Sequence, residues 1–176
     1  MNRFAIIGGS GLDSLGALAV SARRQVVTPY GQPSGPLCEG QFAGAPIVFL
    51  ARHGEAHRLP PHLVNYRANI AALKAANVTD VFAVTAVGGI AAGAGPGRVV
   101  VPDQIIDYTW GREHSFADGT ANEVQHVDFT SPFDEGLRRL LLDVAEDAGV
   151  ELVDGGVYGA TQGPRLETAA EIARMQ

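Results

Sequence analysis

Short uninterrupted apolar runs that stop at glycine-bearing or polar turns set the pattern of this chain. Phe4-Ala-Ile-Ile7 halts at Gly8-Gly9, Ile47-Val-Phe-Leu50 runs into Arg52-His53-Gly54, and Val81-Phe-Ala-Val84 runs into Thr85-Ala-Val-Gly-Gly89. Apolar runs of this length without alternation predict strands buried on both faces. Val99-Val-Val101, Ile105-Ile106 and Gly156-Val-Tyr158 predict further, shorter strands. Helical spacing lies between them. Over residues 62–76, Leu63, Tyr66, Ile70 and Leu73 fall on one side. A second helix is predicted with Ser131 as N-cap, Pro132 at the first helical position and Asp134 as the capping-box acid. Its expected apolar stripe is Leu137, Leu140, Leu141, Val144, Ala145 and Ala148, closed by Gly149. A third helix is expected to begin near Leu166. Strands alternating with helices predict an α/β fold: a mixed, mostly parallel twisted sheet flanked by helices on both faces, in a single domain over residues 1–176.

Composition narrows the function. The net charge of −6 disfavours a nucleic-acid partner, whose phosphates recruit basic surfaces. A lone cysteine, Cys38, excludes an internal disulfide and a cysteine-rich zinc site. His53, His57 and His62 cluster, but Pro60-Pro61 interrupts them and they lack metalloprotease spacing, so no metal is expected. The N-terminus MNRFAIIGGSG breaks into glycines before a signal core forms. The uncharged run over 81–97 holds five glycines and is shorter than the roughly 20 residues a spanning helix needs. The expectation is a soluble cytoplasmic protein without a membrane partner.

Three predicted strand ends carry groups suited to an anion. In Gly8-Gly-Ser-Gly-Leu12, glycines allow successive amides to converge and Ser10 adds a hydroxyl. An ordinary tight turn would use the same glycines. A dinucleotide fingerprint would need a third glycine and an acid about 20 residues on, and has neither. Arg52-His53 offers a planar fork of donors beside an imidazole, although either residue alone also suits a surface. Thr85-Ala86 offers a hydroxyl and turn amides. Ligands of open α/β sheets bind beyond strand C-termini, so one shared phosphate site from Ser10, Arg52, His53, Thr85 and Ala86 is the expectation.

In order along the chain, Ile6-Ile-Gly-Gly-Ser-Gly-Leu12, Ala51-Arg-His-Gly54, Pro61-His-Leu-Val-Asn-Tyr-Arg-Ala-Asn-Ile70, Thr85-Ala-Val-Gly-Gly89, Val101-Pro-Asp-Gln-Ile-Ile-Asp107 and Thr161-Gln-Gly-Pro-Arg-Leu-Glu-Thr168 resemble the trimeric purine nucleoside phosphorylase and methylthioadenosine phosphorylase family. The resemblance implies phosphorolysis of a purine nucleoside, with inorganic phosphate as co-substrate and no cofactor. It implies the same five phosphate residues, with Asn65–Asn69 structuring the helix behind them and Gly88 beside the substrate. It further implies a homotrimer in which His126, from the neighbouring subunit, closes the 5′ end of the nucleoside.

In that family Gly163–Thr168 frames the base. Methylthioadenosine enzymes tend to carry serine where this chain has Glu167, and 6-oxopurine enzymes carry glutamate. Hypoxanthine and guanine bear a hydrogen on N1 that a carboxylate accepts, whereas adenine presents a lone pair there. Arg52-His-Gly-x-x-His57 through Pro60-Pro-His62 instead resembles the methylthio-nucleoside enzymes. The combination points to S-methyl-5′-thioinosine, with inosine, guanosine and methylthioadenosine as alternatives. A binding module without turnover is a further alternative. The chain stops at Gln176 within the third predicted helix. Relatives continue with an Asp or Asn for the purine N7 side and a Met/Thr segment for ribose and phosphate. The domain is therefore expected to be incomplete at its C-terminus, and no catalytic residue is assigned within residues 1–176.

Overall fold

The computed structural model describes residues 2–12, 14–117, 119 and 126–176. The chain forms two compact units: Met1–Val87 with Arg112–Asp118, and Gly88–Gly111 with Gly119–Gln176. Among the described residues no helix is long and apolar enough to cross a membrane.

The first unit is built on a five-stranded mixed sheet. Its strands are β1 (Phe4–Gly8), β2 (Ala19–Arg24), β3 (Leu37–Phe42), β4 (Ala45–Ala51) and β5 (Asp80–Val84), in the order β2-β3-β4-β1-β5. Strand β1 runs parallel to both neighbours, while β3 is antiparallel to β2 and β4. The three apolar runs became the adjacent strands β4, β1 and β5, with β5 at the edge of the five-stranded sheet. Strands β2 and β3 are additions to the predicted set. Every residue of β2 is exposed, so no apolar periodicity marks it.

Helix α1 (Tyr66–Ala75) covers the sheet with a face that shares only part of the expected one: Leu73 is buried and Tyr66 half-buried. Leu63 and Ile70 are exposed, and the buried residues are Ala68, Asn69, Ala72 and Leu73. Ala72, Leu73 and Ala76 join Ala5, Ile7, Leu37, Val48 and Leu50 in the core. Small side chains let the helix backbone approach the sheet closely, so alanine rather than large aliphatics marks the contact face. The Asn65 carboxamide caps α1, accepting from the Ala68 amide at 3.0 Å and donating to the Tyr30 carbonyl at 2.7 Å. Asn69 is also buried. Its Oδ1 accepts from the Ser34 amide at 2.7 Å and its Nδ2 donates to the Ser34 hydroxyl at 3.0 Å. Residues 112–117 return to the same unit. Arg112 bonds the Tyr66 hydroxyl at 3.0 Å and lies over its ring. Arg67 pairs with Glu113 and lies over the Tyr30 ring, which meets Phe116 edge-on.

The second unit contains two parallel strand pairs: β6 (Val99–Val101) with β8 (Leu152–Asp154), and β7 (Gln104–Asp107) with β9 (Val157–Ala160). Helix α2 spans Glu135–Asp147 and begins later than expected. Its N-cap is Asp134, which accepts from the Leu137 amide at 2.8 Å, so Ser131 and Pro132 lie ahead of the helix. An Asp carboxylate both caps the amide and complements the helix dipole. Of the expected stripe Ala145 is buried, but Leu140, Leu141 and Val144 are exposed, and the other buried residue is Arg138. Arg138 donates to the Val101 and Pro102 carbonyls at 2.5 and 2.7 Å and to Asp154 at 2.5 Å, tying α2 to β6 and β8. Helix α3 (Ala169–Met175) starts after a Thr168–Glu171 capping box, three residues beyond Leu166.

Candidate functional site

Strand register brings the anion-binding candidates together. Gly8 of β1 lies opposite Ala51 of β4 on one side and Val84 of β5 on the other. The next residues on the three parallel strands are Gly9-Ser10, Arg52-His53 and Thr85-Ala86. Three segments far apart in sequence thus leave the same edge of the sheet at the same level. Helix α1 stands behind them through Asn69, since the Ser34 segment that it holds abuts Gly54: a Cβ on Gly54 would sit 2.9 Å from the Ser34 carbonyl.

The Arg52 guanidinium is the centre of this edge. Its amide bonds the Gly8 carbonyl at 2.8 Å, which fixes the start of the side chain. Nη2 donates to the Thr85 hydroxyl at 3.0 Å and Nε donates to the His53 ring at 3.3 Å. The guanidinium lies directly over Gly9, where an added Cβ would meet Nη2 at 2.6 Å. Two of its five N–H groups are thereby used. The other three have no acceptor among the described residues, and no carboxylate among them pairs with Arg52. The Thr85 hydroxyl is itself 3.4 Å from the Ala86 carbonyl, too long for a strong bond, so its hydrogen can turn to a ligand. Positive charge, spare donors and a rotatable hydroxyl at converging strand tips form a site for a small oxyanion.

His53 is buried, with Nδ1 2.7 Å from the Leu59 carbonyl and its ring centroid 4.3 Å from that of His57. Ser10 is exposed and adjoins Gly9, while Ala86 is exposed and follows Thr85. These five residues belong to the first unit. Gly88, His126 and Glu167 belong to the second. Gly88 and His126 are exposed, and Glu167 is half-buried next to Thr168, the N-cap of α3. The sequence reading missed Gly9 as the surface under the arginine. Its one available signal was the doubled glycine at the end of β1.

The segment carrying Glu167 is stiffened by its neighbours. Arg165 forms a two-pronged ion pair with Glu171 at 2.7 and 2.9 Å, and Glu171 also accepts from the Thr168 amide at 2.7 Å. The Arg165 bonds, followed by the Thr168 amide, draw the Glu171 carboxyl down to about 2 from its ordinary 4.5. A carboxylate with a depressed folded-state pKa contributes stability above its unfolded value, and loses it as pH falls through the folded value. The first turn of α3 is therefore expected to loosen between pH 4.5 and about 2. NMR titration of the Glu171 carboxyl and the Thr168 amide should follow this change. Arg165→Ala should move the Glu171 midpoint upward, and an unmoved midpoint would remove the ion pair as its cause.

Residues 3–176 match the phosphorylase superfamily. The chain belongs to this superfamily. It is 54% identical over 172 residues to a Xanthomonas campestris pv. campestris protein named "Probable S-methyl-5′-thioinosine phosphorylase", covering 98% of this chain and 69% of that one. It is 45% identical over 166 residues to S-methyl-5′-thioadenosine phosphorylase of Saccharolobus solfataricus, covering 94% of this chain and 61% of the relative. Among solved structures, methylthioadenosine phosphorylase from Schistosoma mansoni in complex with adenine superposes with a TM-score of 0.92 at 34% identity, covering 99% of this chain and 67% of that one. The mixed α/β fold is thus that of nucleoside phosphorylases.

Proposed function

We propose that this phosphorylase cleaves the N-glycosidic bond of S-methyl-5′-thioinosine with inorganic phosphate, yielding hypoxanthine and S-methyl-5-thioribose 1-phosphate. The observation that carries the reading is the Arg52 guanidinium, held between the tips of β4, β1 and β5 by Thr85 with three donors unused. Ser10, Arg52, Thr85 and Ala86 make up the phosphate site, with His53 beside Arg52 completing it. The dianion there attacks C1′ while the purine departs. The sugar gains oxocarbenium character in the transition state, and a fixed anion beneath it both supplies the nucleophile and stabilises that charge. No covalent intermediate on the protein and no cofactor enter this reaction. The assignment predicts hypoxanthine release that depends on added phosphate. Release at the same rate in phosphate-free buffer would mean that water is the nucleophile.

Glu167 sets the base preference in this reading, by accepting the N1 hydrogen of a 6-oxopurine. The name of the Xanthomonas relative agrees with it. Glu167→Ser is expected to lower kcat/KM for methylthioinosine about 10- to 100-fold, as a lost charged acceptor warrants, and to affect methylthioadenosine less. Equal losses for the two nucleosides would remove Glu167 from base selection. His126 completes the 5′ end from a neighbouring subunit of a homotrimer, Gly88 lies beside the nucleoside, and the reaction serves purine and methylthio-nucleoside salvage in the cytoplasm.

A further inference from the structure

A buried histidine beside an arginine has two possible relations to an anion: it binds the anion, or it sets the arginine. The bonds of His53 separate these. Its Nδ1 lies 2.7 Å from the Leu59 carbonyl oxygen. A carbonyl only accepts, so Nδ1 carries the ring hydrogen and Nε2 of the neutral imidazole presents a lone pair. Arg52 Nε–H, which only donates, faces that nitrogen at 3.3 Å. For the ring to bind phosphate, Nε2 would have to carry a hydrogen, and it would then confront the Arg52 N–H donor to donor.

We propose that His53 is a positioning residue for the phosphate site: its ring, anchored by the Leu59 carbonyl, is the acceptor that fixes the rotation of the Arg52 guanidinium, and it does not bind the anion. This rests on Arg52 being the anion-binding group. The surrounding turn is shaped to hold the ring. Leu59 returns its amide to the His53 carbonyl at 2.9 Å, so the two residues are joined through both main chain and side chain. Between them Ala56 and His57 adopt φ of 57° and 54°, a left-handed conformation that residues with a Cβ ordinarily avoid. Within this turn the ring of His57 lies against that of His53, their centroids 4.3 Å apart. The guanidinium is then fixed at three points: Nε by His53, Nη2 by Thr85, and one face by Gly9. Its unused donors point in one set of directions before phosphate arrives.

Two amides dissect the ring's functions. In His53→Gln the amide oxygen reaches the position of Nε2, keeping an acceptor for Arg52. In His53→Asn the amide nitrogen reaches the position of Nδ1, keeping the Leu59 bond but offering Arg52 nothing. Calorimetry with inorganic phosphate on the full chain should show binding about tenfold weaker for His53→Asn, with His53→Gln recovering most of it. The reverse order, or equal loss in both variants at unchanged melting temperature, would overturn the proposal. Long-range proton–nitrogen NMR of the unsubstituted chain gives a test that needs no variant. His53 should show a protonated Nδ1 and a bare Nε2, with and without phosphate. A hydrogen appearing on Nε2 when phosphate is added would assign the ring to the anion and overturn the proposal. If phosphate binding is the same in Arg52→Lys, the phosphate site itself is misplaced. That outcome is distinct from a failure of His53 alone.

Discussion

Arg52→Lys should lower kcat/KM for phosphate by two to three orders of magnitude while leaving the fold intact. The side chain starts from a fixed point, because the Arg52 amide is bonded to the Gly8 carbonyl. From there the planar guanidinium reaches His53 with Nε and Thr85 with Nη2 at once. A lysine ammonium is a point charge on a flexible stem and has no nitrogen at the Nε position, so it keeps the charge but loses the fork. A charged hydrogen bond is worth about 1.5–3 kcal/mol, and losing two-pronged contact with the anion costs about 3–4 kcal/mol, or about 100- to 1,000-fold. Initial rates against phosphate at saturating nucleoside measure this directly. The loss should lie in the phosphate dependence. A variant whose phosphate KM and kcat match the parent chain would exclude Arg52 from the reaction.

Gly9→Ala should weaken phosphate binding about 10- to 100-fold by displacing the Arg52 guanidinium, although Gly9 itself offers the anion no side chain. The added Cβ would lie 2.6 Å from Arg52 Nη2 and 2.9 Å from the Val84 carbonyl oxygen. One contact is with the end of a flexible side chain, and the other is with the backbone of a paired strand. The guanidinium yields at the first contact, moving off the Thr85 hydroxyl, and the second falls on the end of β5 next to Thr85. Overpacking of this kind costs about 1–3 kcal/mol, which gives the expected weakening. Gly16→Ala is the matched control, because nothing lies within 4 Å of a Cβ there. Its effect should stay within about 0.5 kcal/mol. Phosphate titration by calorimetry, with thermal melting alongside, distinguishes a displaced arginine from a damaged sheet. Unchanged affinity in Gly9→Ala would mean that the guanidinium does not need its place over Gly9.

Both predictions depend on strand tips that the chain advertises locally. Three apolar runs ending in Gly-Gly-Ser, Arg-His-Gly and Thr-Ala indicated parallel strands with donors at their C-terminal ends, and β4, β1 and β5 are those strands. Burial made β1 and β4 legible, since it removes polar residues from the run, whereas β5 carries an apolar run although it holds no buried residue. Helices were legible as existing but not in detail. In α2, Leu140 and Leu141 of the expected contact stripe are exposed, while Arg138 is buried alongside Ala145, its charge answered by two carbonyls and Asp154. A rule that looks for apolar side chains cannot find a buried arginine, because the compensating acceptors come from residues 37, 36 and 16 positions away.

Local sequence by itself determined strands β4, β1 and β5, the polar or glycine-bearing turns after them and the residue types that suit an oxyanion. Those properties depend on short-range sterics and side-chain chemistry. Only the tertiary structure decided that Gly8, Ala51 and Val84 stand at one level, and this alignment carries Arg52 to Thr85 across 33 residues. It likewise decided the partner of the His53 ring, because the carbonyl that Nδ1 meets belongs to Leu59, on the far side of a left-handed turn. Register and hydrogen-bond partners are properties of the whole packed sheet and its turns, and a one-dimensional pattern carries them only after the chain has closed on itself.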